Sequence, residues 1–170
     1  MIIRPEKQGD EAAIEEVTFA AFSGRPSSDL TEPIIVRRLR EAEALTLSLV
    51  AEMDGQIVGH VAFSAVTIDG ENKGWLGLGP VSVKPGLQRK GIGSQLIREG
   101  LAQIKAMGAK GCVLEGGPKY YQRFGFQSYP GLTYHGAPAP EFFMALPFYE
   151  VVPQGSVEYH PAFYNAPTQK

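Results

Sequence analysis

The chain has 170 residues, of which 44% are hydrophobic and 20% are charged, and its formal net charge at pH 7 is −2. This balance is typical of one globular domain and argues against a general nucleic-acid-binding protein, which usually carries a basic excess. The single cysteine, Cys112, excludes a disulfide framework, and neither a signal peptide nor an apolar stretch near the ~20 residues of a membrane span is present, so we expect a cytoplasmic protein without membrane partners.

The first half of the chain predicts one strand, two helices and a three-stranded meander. An apolar run ended by Pro5 favours a short strand, and apolar residues at three- and four-residue steps predict the two helices. Asp54-Gly55 and Asp69-Gly70 are turn signals between the strands of the meander. The predicted elements are strand 2–4, helix 10–22, loop 23–29, helix 30–43 and strands 47–53, 56–68 and 75–83.

The second half contains the clearest helix, whose apolar residues lie on one face and which ends at Gly108. Residues 111–114 are fully apolar and follow this crossover helix, so we expect a buried strand that pairs in parallel with strand 75–83. The predicted elements are helix 91–107, strand 111–114, helix 119–124, strands near 126–129 and 142–151, and an irregular C-terminal extension.

The element order β-α-α-β-β-β-α-β-α-β-β predicts an α/β fold with three layers and a mixed sheet that has a parallel pair at its centre. No linker or internal repeat divides the chain. We therefore expect one domain over residues 1–152, with the extension 153–170 packed on it. Loops at the carboxyl end of a parallel pair are where such sheets bind ligands.

The segment from Val81 to Ser94 runs from a strand through a short loop into the clearest helix. Free N–H groups at a helix start carry partial positive charge, and glycines there let an anion approach the backbone. Arg89 and Lys90 add charge that can reach further phosphate groups. We interpret Gly91-Ile92-Gly93 as a pyrophosphate site, with tight packing of the helix on the strand as the alternative.

Two better-known phosphate motifs do not match this segment. A Walker loop needs Gly-Lys-Ser/Thr at a fixed distance from its first glycine, which is missing. A dinucleotide fingerprint needs a third small residue where Leu96 stands, and it needs an opening βαβ unit.

Gln88-Arg89-Lys90-Gly91-Ile92-Gly93 resembles the main motif of the GNAT superfamily of N-acetyltransferases, Gln/Arg-x-x-Gly-x-Gly/Ala. The resemblance extends to strand 76–83 and to Tyr120-Tyr121-Gln122-Arg123-Phe124-Gly125-Phe126, which is similar to the family's Tyr-x-x-x-Gly-Phe element. The element order also matches, and coverage is about residues 1–152. The form Gly-Gly-Pro-x-Tyr-Tyr-x-Arg-Phe-Gly-Phe looks like a bacterial subgroup of predicted N-acetyltransferases.

The resemblance implies transfer of an acetyl group from acetyl-CoA to a primary amine by direct attack in a ternary complex, without a metal. Backbone N–H groups from Arg89 to Ser94 would bind the pyrophosphate. Backbone groups of Val81 and Val83 would bind the pantetheine arm, and the Val81 N–H would polarise the thioester carbonyl. Glycine and proline residues predict a bulge near 79–80 that helps this strand diverge. The residues expected to bind the coenzyme are Val81, Ser82, Val83, Gln88, Arg89, Lys90, Gly91, Ile92, Gly93, Ser94, Tyr121 and Phe124.

Tyr121 stands four residues before Gly125 and matches the family's general acid by position. A phenol with a pKa near ~10 stays protonated at neutral pH and can donate to a departing thiolate. The alternative is a helix tyrosine packed with Tyr120 and Phe124.

The general base cannot be read from the sequence. Glu115, at the carboxyl end of strand 111–114, is the best carboxylate by location, and a solvated strand end is its alternative. Glu32 and His60 are further candidates, and a water chain would need no dedicated side chain. The three histidines are far apart in the sequence and lack the spacing of metal ligands.

The acceptor is either a small-molecule amine or an amine of a protein or peptide, and its specificity is expected in residues 22–33, in the last two predicted strands and in the tail. The aromatic stretch 138–149 is by default a core strand; its alternatives are a wall of the acceptor site or a homodimer interface. A non-catalytic acyl-CoA sensor of the same fold is the alternative function.

Overall fold

A six-stranded mixed sheet lies at the centre of the protein. The structure is a computed structural model that describes residues 1–26 and 28–164. The strands are β1 (Ile2–Pro5), β2 (Leu47–Met53), β3 (Gln56–Ala65), β4 (Thr67–Ile68), β5 (Trp75–Val83), β6 (Gly111–Glu115), β7 (Leu132–Thr133), β8 (Phe143–Pro147) and β9 (Gly155–Glu158). The helices are α1 (Glu11–Ser23), α2 (Glu32–Glu41), α3 (Ile92–Ala106) and α4 (Pro118–Tyr121), with 3-10 turns at Gln122–Phe124, Pro140–Phe142 and Pro161–Phe163.

The strand order in the main sheet is β1-β2-β3-β5-β6-β8, and a small second sheet has the order β4-β9-β7. Within the main sheet β5 and β6 pair in parallel, whereas the other neighbours are antiparallel. The parallel pair follows from the crossover through α3, as the sequence predicts. The predicted α/β fold with a mixed sheet is confirmed.

The alternation of side chains along the strands separates two apolar layers. On one face Cys112 and Leu114 join the core beneath α3, which contributes Leu96, Ile97 and Ile104. On the other face Val113 packs under the small second sheet. Helices α1 and α2 cover the remainder of that second face over β2 and β3. The fold is therefore three layers deep.

The parallel pair opens after only three residue pairs. Gly77 is aligned with Val113, and beyond this point β5 pairs with β3 alone while β6 pairs with β8 alone. Two residues of β5, Gly79 and Pro80, lie opposite the single residue Ala62 of β3. This is the bulge that the sequence predicts, and bulges bend the strand that carries them. The sheet splits at the carboxyl end of its parallel pair.

Several predicted boundaries are wrong. The predicted strand 56–68 is interrupted, because β3 ends at Ala65 and β4 joins the second sheet. The predicted strand near 126–129 is reduced to one bridge, Gln127 to Ala145, because the chain turns at once and the Leu132 N–H donates to the Tyr129 carbonyl oxygen at 3.0 Å. The predicted strand 142–151 is shortened to β8.

The C-terminal extension is not irregular over its described part. Strand β9 lies between β4 and β7, and its Val157 is completely buried. Sequence patterning missed β9 because four residues with one buried apolar side chain carry too little alternation to recognise. Residues 165–170 of the predicted extension and Ser27 of the predicted loop lie outside the described residues.

Among the described residues, no helix combines the length and the apolar character that crossing a bilayer requires. In the same part of the chain, no three His, Cys, Asp or Glu side chains form a group that could hold a metal ion. Cys112 is fully buried, and this burial raises the pKa of its thiol.

Close contact between α3 and β3 depends on Gly100. A Cβ there would lie 2.4 Å from Cε1 of the fully buried Phe63. Replacing a helix glycine with alanine normally stabilises a protein by about 1 kcal/mol, but overpacking a core costs about 1–3 kcal/mol. We expect Gly100→Ala to lower the free energy of unfolding in guanidinium chloride. The same change in a Phe63→Leu background should cost less, and a stabilising Gly100→Ala would contradict the packing described.

Candidate functional site

Two clefts open at the point where β5 and β6 diverge. The larger cleft has a volume of about 620 Å³ and lies between the end of β5, the start of α3, and α4. It is lined by Arg25, Val81, Val83, Leu87, Gln88, Arg89, Gly91, Ile92, Gly93, Ser94, Tyr120, Tyr121 and Arg123. The smaller cleft, of about 360 Å³, adjoins it on the side of β6 and the C-terminal segment.

The start of α3 forms one end of the larger cleft. Gly91 precedes the helix with φ 90° and ψ 2°, and no side chain of the described residues caps it. Arg89 also has a positive φ of 65°. Left-handed residues beside a helix start turn successive N–H groups toward a common centre, which makes a concave site for an anion. The first N–H groups of the helix are therefore available to a phosphate group.

The space around the two glycines decides between the two interpretations of Gly91-Ile92-Gly93. A Cβ on Gly91 would have no atom within 4 Å, and a Cβ on Gly93 would make only ordinary contacts, 3.5 Å to Tyr120 Oη and 3.6 Å to Val83 Cγ2. Tight packing of α3 on the sheet therefore does not require glycine at position 93. Because Gly91 and Gly93 have no side chains, space remains on the side of the helix start that faces the cleft. A site that binds an anion through backbone N–H groups needs this space.

The free edge of β5 forms a second wall of the larger cleft. The Lys84 N–H donates to the Val58 carbonyl oxygen at 2.8 Å, so this pair lies at a hydrogen-bonded position of the ladder. Bonded and non-bonded pairs alternate in an antiparallel ladder. The backbone groups of Ser82 therefore face β3, while those of Val81 and Val83 face away from β3, toward the opening left by β6.

The Gln88 side chain secures the end of this edge, because its Nε2 donates to the Val83 carbonyl oxygen at 3.0 Å. On the side away from β3, the N–H and C=O groups of Val81 have no neighbouring strand within the described part of the chain, since the pairing of β5 with β6 ends at Gly77. An extended chain of suitable length can add to such an edge as a further strand would.

Most residues that the sequence predicts for coenzyme binding line the larger cleft, but three do not. Ser82 is buried, with 1% of its surface exposed, because it points to the opposite face of the strand from Val81 and Val83. Lys90 is exposed to solvent beside the loop. Phe124 is buried beneath the α4 tyrosines, with its ring centre 5.5 Å from that of Tyr120.

Sequence reasoning missed four lining residues, which are Arg25, Leu87, Tyr120 and Arg123. Arg123 donates from Nε to the Tyr120 carbonyl oxygen at 2.8 Å, and its guanidinium lies 4.4 Å from the centre of that ring. These two residues belong to the recognised motif and could have been inferred from it. Arg25 carries no local signal, because the fold of the loop after α1 alone brings it to the cleft.

Tyr121 stands where the two clefts meet, together with Arg25 and Val81, since all three line both. Burial raises the pKa of Tyr121 to about 12, with a further increase from Tyr120 and an opposing effect of Arg25. The Tyr121 ring lies directly against Gly116, where a Cβ would be 2.6 Å from Cε2. A protonated phenol is therefore held at the junction.

The smaller cleft contains both carboxylates that the sequence singles out, Glu32 and Glu115. Burial raises the pKa of Glu115, and Glu32 accepts a hydrogen bond from Ser28 at 2.8 Å. Much of the remaining lining consists of Leu78, Gly79, Pro80 and aromatic side chains. The aromatic stretch 138–149 does not reach this cleft; its Phe143 is a buried residue of the core strand β8.

His60 lines neither cleft. It is completely buried within β3 and shares a hydrogen bond of 2.8 Å with Ser48. Burial lowers the pKa of His60 to about 4. A histidine without access to either cleft cannot take a proton from a bound ligand, so His60 is a structural residue.

Comparisons with known proteins agree with this geometry. The model of the acetyltransferase (GNAT) domain matches residues 45–128. The uncharacterized N-acetyltransferase YhbS of Escherichia coli K12 is 39% identical over 128 residues, which are 75% of this chain and 74% of that protein. The uncharacterized N-acetyltransferase YjhQ of the same strain is 33% identical over 135 residues, 78% of this chain and 73% of that protein.

Two solved structures are similar over nearly their whole length. A GNAT family acetyltransferase from Brucella melitensis, in complex with acetyl-CoA, is 53% identical with a TM-score of 0.86, covering 95% of this chain and 97% of that one. YhbS from Escherichia coli, in complex with CoA, is 33% identical with a TM-score of 0.88, covering 96% and 92%. Sequence, fold and cleft geometry agree, and the chain belongs to the GNAT family of acetyltransferases.

Proposed function

We propose that this protein transfers an acetyl group from acetyl-CoA to a primary amine by direct attack within a ternary complex. The observation that carries the proposal is the junction of the two clefts, lined from both sides by Val81 and Tyr121. One cleft suits a phosphate-bearing coenzyme and the other suits a second reactant. The relatives from Brucella melitensis and Escherichia coli, which hold acetyl-CoA and CoA, support the coenzyme part of this proposal.

In the larger cleft, the N–H groups from Arg89 to Ser94 bind the pyrophosphate of the coenzyme. The left-handed residues and the free helix start described above supply donors without any change in the backbone. Two arginines, Arg89 and Arg123, line this cleft and not the smaller one, and they can pair with further phosphate oxygens. The Val81 and Val83 backbone binds the pantetheine arm as an added strand.

In the smaller cleft, Glu115 accepts one proton from the bound ammonium, so that the amine nitrogen carries a free electron pair. That nitrogen forms a bond to the thioester carbonyl carbon, and the Val81 N–H donates to the oxygen on which negative charge develops. The C–S bond then breaks, and Tyr121 donates a proton to the departing sulfur. The nitrogen gives up its second proton, which restores the Tyr121 phenol, and Glu115 returns its proton to solvent, so that one proton is released for each amide formed.

A non-catalytic acyl-CoA sensor would need the larger cleft alone. The proximity of Tyr121 to a second cleft that contains two carboxylates favours catalysis over this alternative. Release of free thiol only when an amine is added distinguishes the two functions.

Tyr121→Phe keeps the ring and removes the proton donor. We expect turnover to fall by about tenfold or more, because general acid catalysis typically contributes 10²–10⁴-fold. The dissociation constant for acetyl-CoA should change little. Steady-state thiol release and calorimetric titration measure the two quantities, and an unchanged rate would remove Tyr121 from this role.

Gly116→Ala tests whether the position of the Tyr121 hydroxyl matters. The new Cβ would approach the ring to 2.6 Å, so the ring must move. We expect turnover to fall about tenfold or more, since small displacements of a catalytic group are costly. In a Tyr121→Phe background the same substitution should have much less effect on the rate. Equal effects in the two backgrounds would show that Gly116 acts through something else.

Glu115→Gln tests whether Glu115 is the general base that deprotonates the amine. Because only the ionised carboxylate accepts a proton, the kcat/KM of the wild type should fall as the pH decreases through the raised pKa of Glu115. The glutamine variant should turn over more slowly, and its kcat/KM should no longer fall at acidic pH. Tyr121→Phe should also be slower, but its kcat/KM should still fall at acidic pH. A pH–rate profile that is unaltered in Glu115→Gln would dismiss Glu115 as the base.

A further inference from the structure

The smaller cleft has the size and the walls of a site for a small molecule. Its volume of about 360 Å³ lies at the lower end of the range that small-molecule sites cover. Its aromatic lining residues are Phe22, Tyr121, Tyr134, Tyr159 and Phe163, and its aliphatic ones include Ile35, Leu78 and Pro80. A ligand with a substantial apolar body would bury that body against these side chains.

The C-terminal wall of this cleft is held in place by its own contacts. The Tyr159 ring centre lies 5.1 Å from that of Tyr134 and 5.0 Å from that of Phe163. The Tyr159 N–H donates to the Tyr164 hydroxyl at 2.9 Å. Strand β9 ends just before Tyr159 and pairs with β4 and β7. The wall is therefore formed before a ligand binds, and it limits the size of that ligand.

The charges of the smaller cleft favour a cation. Among the described residues that line it, Arg25 is the one positive side chain, while Glu32 and Glu115 are negative. Arg25 also lines the larger cleft, and its guanidinium lies 4.8 Å from the centre of the Phe22 ring. The formal balance is one negative charge, which one ammonium group would neutralise. Aromatic faces add a further attraction for cations.

One residue that lines this cleft carries a polar group without a partner among the described residues. The Tyr159 hydroxyl is buried and forms no hydrogen bond within residues 1–26 and 28–164, although the residue is only 8% exposed. Its ring is fixed above Gly77, where a Cβ would come within 2.6 Å. A buried hydroxyl without a partner is unfavourable, so a ligand that supplies one gains affinity and selectivity.

Resting on the acetyl transfer proposed above, we infer that the acceptor is a small primary amine with a single positive charge and an apolar body containing a ring, and that an uncharged polar substituent on this body hydrogen-bonds to Tyr159. A carboxylate on the acceptor would face Glu32 and Glu115, and a second ammonium would exceed the single negative charge of the cleft. The pre-formed aromatic wall would keep a protein chain out of this cleft.

A panel of matched acceptors tests the inference on the full-length protein, with free thiol release measured at saturating acetyl-CoA. Tyramine carries all the inferred features, and 2-phenylethylamine lacks only the polar substituent. Phenylalanine adds a carboxylate to 2-phenylethylamine, 1,4-diaminobutane has two ammonium groups, and a short peptide presents an N-terminal alanine. We expect kcat/KM for the two arylalkylamines to exceed that for each of the other three by about tenfold or more. Preference for phenylalanine, the diamine or the peptide would overturn the inference.

Two variants test whether Glu32 and Tyr159 of the smaller cleft recognise the acceptor. Glu32→Gln should reduce the preference for 2-phenylethylamine over phenylalanine, because it removes one negative charge. Tyr159→Phe keeps the ring and should abolish an advantage of about 3- to 10-fold in KM of tyramine over 2-phenylethylamine. Neither variant should change the dissociation constant for acetyl-CoA. A tyramine advantage that survives Tyr159→Phe would contradict the assigned role of this hydroxyl.

The outcomes also separate this inference from the proposed function. If acetyl-CoA does not bind and no acceptor releases thiol, the proposed function fails. If acetyl-CoA binds but neither arylalkylamine is turned over, the inferred acceptor class is wrong while the coenzyme site stands.

Discussion

The separation of β5 from β6 is the constraint on which the rest of the site depends. The two strands pair in parallel only as far as Gly77 and Val113, after which each keeps its other neighbour. The bulge at Gly79 and Pro80 bends β5 at this point, and Pro80 has no N–H to donate to a ladder. A sheet that stayed closed here would leave neither a free strand edge nor a gap at the carboxyl end of its central pair.

Both clefts follow from this separation. The free edge of β5 becomes a wall of the larger cleft, and α3 begins beside it with uncapped N–H groups. On the side of β6, the opening is bounded by Glu115 at the end of that strand and by side chains of the C-terminal segment. Tyr121 reaches the junction because Gly116 leaves room for its ring. The proposed coenzyme site, proton donor and acceptor site are thus arranged around one break in the sheet.

Features that depend on short stretches of sequence could be predicted. The start of α3 at Gly91-Ile92-Gly93, the parallel pairing of β6 and the bulge in β5 each follow from local residue types and from the handedness of crossover connections. The position of Tyr121 followed from a motif. These elements form most of the larger cleft.

Features that depend on distant contacts could not be predicted. Strand β9 is recognisable only when β4 and β7 are present on either side of it. Arg25 reaches the clefts through the fold of its loop, and the wall formed by Tyr134, Tyr159 and Phe163 joins residues far apart in the chain. For 138–149 the sequence favoured a core strand, with a wall of the acceptor site as an alternative, and β8 buries Phe143 of this stretch in the core.

Calorimetric titration of the protein with acetyl-CoA, CoA and desulfo-CoA measures whether the start of α3 binds the phosphate groups of the coenzyme. We predict binding in the micromolar range that is lost in a Gly91→Glu/Gly93→Glu double variant, because both new side chains would occupy the anion site. Ala102→Glu, which places the same side chain on an exposed position of α3, should bind like the wild type. Absence of binding at millimolar coenzyme, or equal binding by the double variant, would mean that the start of α3 is not the phosphate site.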